Sequence, residues 1–172
     1  MILVDLLTKI LLHSGGNSST NQFYEDTLVG DNFIVGANTI LIGTILSIII
    51  YLFAPNFSKF SLMNEDRLTL SLVVFTSVVH IILGVEDIML LVGGFGFLAF
   101  GLTLYIEKID LVEQNRTTVF YLLIAYTLSI IIFYIYLHPD LTKDGNYDHL
   151  GIVTKIVEVG IVTLGIMKAD EF

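Results

Sequence analysis

The amino-acid sequence predicts an all-α integral membrane protein in which five helices cross the bilayer as one bundle. Five apolar stretches lie at about residues 33–54, 68–85, 88–106, 118–137 and 150–167. Each has about twenty residues, the length at which a helix rising 1.5 Å per residue crosses a ~30 Å hydrocarbon core. Only 15% of the residues are charged, whereas about a quarter is usual in soluble proteins. Helices of a soluble domain also need a polar face.

The composition excludes several classes of function. The net charge of −9 argues against nucleic-acid partners and against a polybasic surface for lipid headgroups. Cysteine is absent, which excludes disulfides, thiolate metal sites and thiol nucleophiles. The chain has room for one bundle and no separate soluble domain. We therefore expect an extracytoplasmic helix and linker at 1–32, the five-span bundle at 33–167 and a cytoplasmic tail at 168–172.

The N-terminal segment 1–12 is apolar but too short to cross a membrane. Asp5, Lys9 and His13 recur at every fourth position, which gives a helix one narrow polar stripe and is typical of a helix lying in the membrane interface. The start of the chain also carries no basic cluster and no clear cleavage site, so we expect the spans themselves to act as the insertion signal.

The distribution of basic residues predicts the orientation of the bundle. If the N-terminus lies outside, the inner segments hold five basic residues and the outer segments hold two. The positive-inside rule therefore favours an N-out, C-in topology in the cell membrane. The inner residues are Lys59, Arg67, Lys108, Arg116 and Lys168, and the outer ones are Lys9 and Lys143.

Small residues predict close helix packing in the first and third stretches. Residues of this kind at helical spacing allow two membrane helices to approach closely. The candidates are Gly36, Gly43, Gly93, Gly94, Gly96 and Gly101. Pro55 is expected to end the first helix, and the Glu86-Asp87 connection predicts a tight hairpin between the second and third. The fourth stretch has almost no polar group, so we expect it at the periphery or against another subunit.

Ionisable residues within the spans lie at similar depths. At helical rise, His80 lies ~9 Å below the outer boundary set by Glu86, and Lys155 lies ~9 Å below the boundary set by His149. Glu158 lies ~13 Å deep and Asn38 ~10 Å deep on the same reckoning. Lys155 and Glu158 are also three residues apart and opposite in charge, which makes both charges tolerable in hydrocarbon. We therefore predict one polar cluster of His80, Lys155 and Glu158, with Asn38 and Asp87 nearby.

The sequence leaves four interpretations of this cluster open. It is a structural salt bridge, a proton or ion site, a metal or cofactor site, or a contact with partner subunits. Imidazole and carboxylate ligands suit copper or zinc, and the candidates are His80, Asp87, His138 and His149. No helix carries two ligands at the usual spacing, however, and no nucleophile elbow is present. We therefore predict no catalytic residue and no required cofactor.

Three short runs carry a family resemblance. His80-Ile-Ile-Leu-Gly84-Val-Glu86-Asp87, Gly93-Gly94-Phe95-Gly96-Phe97 and Gly151-Ile-Val-Thr-Lys155-Ile-Val-Glu158 resemble those of small membrane proteins of ammonia-oxidising archaea. That set includes accessory subunits of the archaeal copper membrane monooxygenase. The resemblance covers roughly residues 68–167 and implies a supporting subunit, since no copper-ligand motif of the main subunits is visible.

Two functions are therefore expected. The first is a non-catalytic accessory or structural subunit of a larger membrane complex, in contact with lipids and with other membrane subunits and with no nucleic-acid partner. The alternative is a protein that handles protons, ions or a metal at the polar layer around His80, Lys155 and Glu158.

Overall fold

The computed structural model describes residues 31–58, 62–85, 87–106, 109–137, 142–143 and 146–170. The interfacial helix and the linker predicted N-terminal to these residues, as well as His138, lie outside them. The described helices are α1 (Asp31–Phe57), α2 (Asn64–Leu83), α3 (Ile88–Gly101), α4 (Asp110–Gln114), α5 (Arg116–Leu137) and α6 (His149–Ala169). A π-helical segment (Leu102–Ile106) extends α3, and the two-residue strands β1 (Thr142–Lys143) and β2 (Asn146–Tyr147) pair antiparallel between α5 and α6.

Five of these helices are long and apolar enough to cross a membrane. The candidate spans are Gly36–Asn56, Asn64–Leu83, Ile88–Tyr105, Arg116–Leu137 and His149–Ala169. The length and composition of these helices confirm the predicted class, a multi-pass, all-helical membrane protein. The sequence did not predict the short helix α4 or the π-helical segment.

Helix α2 is the central element of the bundle. It packs against α1, α3 and α6, whereas α5 packs mainly on α6. The apolar window of α2 is 56% buried and that of α5 only 17%, so α5 lies at the periphery. Because α2 is enclosed by other helices, its polar side chains at Thr69, Thr76 and His80 are buried inside the bundle.

Glycines set the close approach of α2 and α3. A Cβ on Gly94 would lie 2.6 Å from Cγ1 of Ile81 and 2.8 Å from the Ile81 backbone nitrogen. The close approach also lets the Gly94 carbonyl accept a hydrogen bond of 2.8 Å from the Ser77 hydroxyl. In the turn between the two helices, a Cβ on Gly84 would lie 2.3 Å from the Leu91 nitrogen. This close hairpin therefore requires glycine at positions 84 and 94.

The other predicted packing glycines divide into two groups. A Cβ at Gly43, Gly93, Gly96 or Gly101 would come within 3.3 Å of a side chain on a neighbouring helix. Gly36 is different, because within the described part of the chain a Cβ there would meet nothing within 4 Å. The prediction that Gly36 packs against another helix finds no contact among these residues and stays a prediction.

Pro55 does not end α1 as expected, since the helix continues to Phe57. A proline in the last turn removes only its own N–H, and the following residues can still bond backwards. Ser58 does so, and its backbone N–H donates to the Ala54 carbonyl at 2.9 Å.

We predict that Gly94→Ala destabilises the protein and that Gly36→Ala does not. Overpacking of a filled interface costs about 1–3 kcal/mol, whereas the same methyl group at Gly36 meets open space. Thermal unfolding in one detergent, followed by circular dichroism, measures both variants. Equal unfolding midpoints for the two variants would contradict the α2–α3 packing described above.

Candidate polar site in the cavity end of the bundle

The structure brings His80, Lys155 and Glu158 together between α2 and α6. The Lys155 ammonium donates to both carboxylate oxygens of Glu158, at 2.8 and 2.6 Å. Oε1 of the same carboxylate lies 3.6 Å from Nε2 of His80. Glu158 is 0% exposed and His80 3% exposed. These three residues, called the polar cluster below, form a buried ion pair with a histidine beside it.

The histidine ring is held in one orientation. Its Nδ1 lies 2.9 Å from the Thr76 carbonyl one helical turn earlier. A carbonyl oxygen can only accept, so Nδ1 carries a hydrogen and Nε2 is the atom that faces Glu158. The ring also lies 5.8 Å from the Phe97 ring of α3. A proton on Nε2 would pair with the carboxylate, and without it the Nε2 lone pair faces that carboxylate.

A row of polar contacts joins the cluster to the start of α6. The Lys155 ammonium lies 5.0 Å from the centroid of the Tyr134 ring, within the range of a cation–π contact. The Tyr134 hydroxyl donates to Oδ2 of Asp148 at 2.9 Å. Asp148 also accepts the Gly151 backbone N–H at 2.8 Å and so caps α6. A Cβ on Gly151 would lie 2.3 Å from the Tyr134 hydroxyl, so this contact needs glycine there.

The cluster lies at the edge of a cavity of ≈ 440 Å³. Five helices line it: the beginnings of α1, α3 and α6 and the ends of α2 and α5. This end of the bundle is called the cavity end below. Its polar lining residues are His80, Asp87, Tyr126, Ser129, Tyr134, Asp148, His149, Thr154 and Lys155. Glu158 does not line the cavity, so His80 and Lys155 separate its carboxylate from the open space.

The remaining predicted site residues lie farther from the cluster. Asp87 lines the cavity and caps α3 by accepting the Met89 backbone N–H at 2.8 Å. His149 also lines the cavity and is exposed at the start of α6. Asn38 is half-buried on α1 and is not a lining residue. The prediction that Asn38 lies beside the cluster finds no contact in the described part of the chain.

The predicted copper or zinc site is not assembled by the described residues. Within them, no group of three or more histidine or acidic side chains could hold a metal ion. Both oxygens of Glu158 already accept from Lys155, so a metal at His80 would have to displace the ammonium. His138 lies outside the described ranges, and the metal site stays a prediction that metal analysis of the purified protein can test.

A second polar contact joins α2 and α6 at the opposite end. Lys168 is 2% exposed, and its ammonium lies 3.3 Å from Glu65 and 3.5 Å from Asp66. Asp66 also accepts the Met63 backbone N–H at 3.0 Å. The sequence placed Lys168 in a cytoplasmic tail, but it belongs to the last turn of α6. Its burial follows from the acidic first turn of α2, which offers a partner.

Comparison of the chain with known proteins gives no relative: no protein-family model, no curated protein and no solved structure matches it. The polar cluster and the cavity are therefore the features from which a function is inferred.

We predict that Glu158→Gln destabilises the protein more than the loss of both charges does. The single change leaves the Lys155 ammonium buried without its counter-ion, which costs about 3–5 kcal/mol in buried pairs. The double variant Lys155→Met, Glu158→Gln removes both charges and is expected to be milder. Unfolding free energies of the wild type and these variants, together with Lys155→Met, give the coupling energy. Additive effects of the two substitutions would contradict the pairing.

Proposed function

We propose that this protein is a non-enzymatic membrane protein that takes up and releases a proton at the pair His80–Glu158, reached through the cavity. The observation that carries the proposal is the fully buried Glu158 carboxylate 3.6 Å from Nε2 of His80. Ionisable groups inside a membrane span are costly and are functional candidates by default. A salt bridge alone needs only Lys155 and Glu158, and the histidine adds a second group that exchanges protons.

The arrangement supports an exchange between these groups and the cavity. His80 and Lys155 line the cavity and Glu158 lies directly behind them. The Thr76 hydroxyl is fully buried and finds no hydrogen-bond partner within the described residues. It belongs to the residue whose carbonyl holds His80, so it offers a polar position for an ordered water beside the ring.

Infrared difference spectroscopy of the reconstituted protein tests the proposed proton exchange. As the pH is lowered, we expect the band of the protonated Glu158 carboxyl to grow. Glu158→Gln should remove this band, because glutamine carries no titrating carboxyl. His80→Ala should shift the pH at which it appears, because the neighbouring titratable group is lost. Glu65→Gln, at the opposite end of the bundle, is the matched control and should leave it unchanged. A spectrum that Glu158→Gln does not alter would contradict the proposal.

We also propose the N-out, C-in orientation in the cell membrane, which puts the cavity on the outer side. Arg67, Arg116 and Lys168 lie at the end of the bundle opposite the cavity, where α2 and α5 begin and α6 ends. Asp87 and Asp148 lie at the cavity end. This distribution of charge supports the orientation through the positive-inside rule.

The absence of cysteine makes accessibility to thiol reagents a direct test of this orientation. Thr154 and Thr127 are both buried, and each donates to the carbonyl four residues earlier at 2.8 Å, but only Thr154 lines the cavity. Thr154→Cys should react with a small, impermeant methanethiosulfonate added outside intact cells, whereas Thr127→Cys should not. Reaction of Thr154→Cys only in inverted membranes would reverse the orientation.

A second candidate function is that of an accessory or structural subunit of a larger membrane complex, in which the protein contacts other subunits as well as lipids. The observation that favours it is a depression along α5, lined by Ser129, Ile132, Phe133 and Tyr136 and adjoining the cavity at Ser129 and Phe133. Its side chains are largely exposed, and a helix of another subunit could fill it. Purification in mild detergent followed by mass spectrometry should then recover stoichiometric partners, and a solitary monomer would contradict this function.

A further inference from the structure

We propose that the cavity binds an uncharged amphiphile from the bilayer, a lipid-like molecule with a hydrocarbon body and one hydrogen-bonding end group such as a hydroxyl or carbonyl. The end group lies at His80 and Lys155, and the body lies along α1 and α5. This inference goes beyond the proposed proton exchange, because it concerns a ligand of the cavity and not the titration of Glu158.

The size and walls of the cavity suit such a ligand. Its volume of ≈ 440 Å³ falls in the range of about 300–1,000 Å³ found for small-molecule sites. Apolar side chains from every surrounding helix line it, among them Ile40, Leu83, Leu90, Ile130 and Phe133. A wall of this kind suits a hydrocarbon body, because within the bilayer an alkyl chain packs against apolar side chains by van der Waals contact.

Most of the polar lining groups already have partners inside the protein. The hydroxyls of Tyr126, Tyr134 and Thr154 donate to Gly93, Asp148 and Leu150, and Asp87 and Asp148 cap helices. Among the described residues, Lys155 donates only to the two oxygens of Glu158, which uses two of its three N–H groups. One Lys155 N–H therefore has no hydrogen-bond acceptor among the described residues and remains for the end group of a ligand beside His80.

The charges select against ionic ligands. Lys155 and Glu158 cancel each other inside the cluster, so an anionic headgroup would find no uncompensated cation there. Asp87 and Asp148 line the same cavity and repel anions as well. Asp87 and Asp148 would attract a cationic headgroup, but such a headgroup would be repelled by the Lys155 ammonium at the polar cluster. An uncharged end group is not repelled at either place.

The gap between α1 and α5 provides a path from the bilayer. Both helices line the cavity, yet they barely contact each other. Gly36 borders this space, and a Cβ there would meet no atom of the described residues within 4 Å. Ala37 and Ser129, which are exposed, also line the cavity. A chain lying in the membrane can therefore enter between the two helices.

Photolabelling of the reconstituted full-length protein tests the proposal. Three probes share one long alkyl chain with a diazirine near its end and differ only in the head: an alcohol, a trimethylammonium or a carboxylate. The alcohol is expected to label lining residues of α1 and α5 several-fold more than either charged probe. Gly36→Phe should fill the cavity and reduce this labelling several-fold, whereas Ala125→Phe, on an exposed position of α5 outside the cavity, should not. Ser129→Phe is a second blocking variant should Gly36→Phe fail to fold.

Stronger labelling by a charged probe would overturn the uncharged ligand, and alcohol labelling that survives both blocking variants would overturn the cavity as its site. These outcomes are separable from the proton proposal. The infrared titration of Glu158 uses no amphiphile, so either result can fail while the other stands.

Discussion

Two opposite charges buried within membrane-spanning helices constrain the rest of this bundle. An uncompensated lysine or glutamate at the centre of a span costs about 3 kcal/mol on insertion scales, so Lys155 and Glu158 must face each other and a protein interior. Their spacing on α6 allows the contact, and burial of that face against α2 keeps both away from hydrocarbon. Three further residues surround the pair. His80 lies beside Glu158, the Tyr134 ring lies beside the Lys155 ammonium, and Asp148 accepts the hydrogen bond of the Tyr134 hydroxyl.

The small residues of the chain make this arrangement possible. Gly94 and Gly84 bring α3 against α2, and Gly93 leaves room for the His80 ring, whose Cδ2 would lie 3.3 Å from a Cβ at that position. At the other end, Lys168 with Glu65 and Asp66 joins the same two helices. Helices α2 and α6 are thus joined by polar contacts near both ends, with the fully buried Val73 and Ile161 contributing apolar packing to the core of the bundle. The less constrained helices α1 and α5 form the walls of the cavity.

Much of this architecture could be predicted from the sequence, because span length and helical periodicity are local properties. The apolar stretches gave the five candidate spans, and depth along each helix placed His80 level with Lys155. Rotation about a helix axis is not local, which is why Asn38 has the right depth but lies away from the cavity lining, and why Gly36 borders open space. The contact of Tyr134 with Asp148 depends on how α5 and α6 pair across their connection. The sequence predicted no contact for Tyr134, and it predicted Lys168 only as a positive charge of the tail.

The most direct test of this account is the distance between Nζ of Lys155 and the carboxylate carbon of Glu158, measured by solid-state NMR in lipid bilayers. If the two side chains pair as described, a strong dipolar coupling joins a charged ammonium nitrogen to that carbon, consistent with hydrogen bonds of 2.6 and 2.8 Å. The coupling should disappear in Lys155→Met. The pairing would be contradicted if the Lys155 nitrogen showed no coupling to Glu158 and its ammonium hydrogens exchanged rapidly with water, as those of a lysine at the headgroups do.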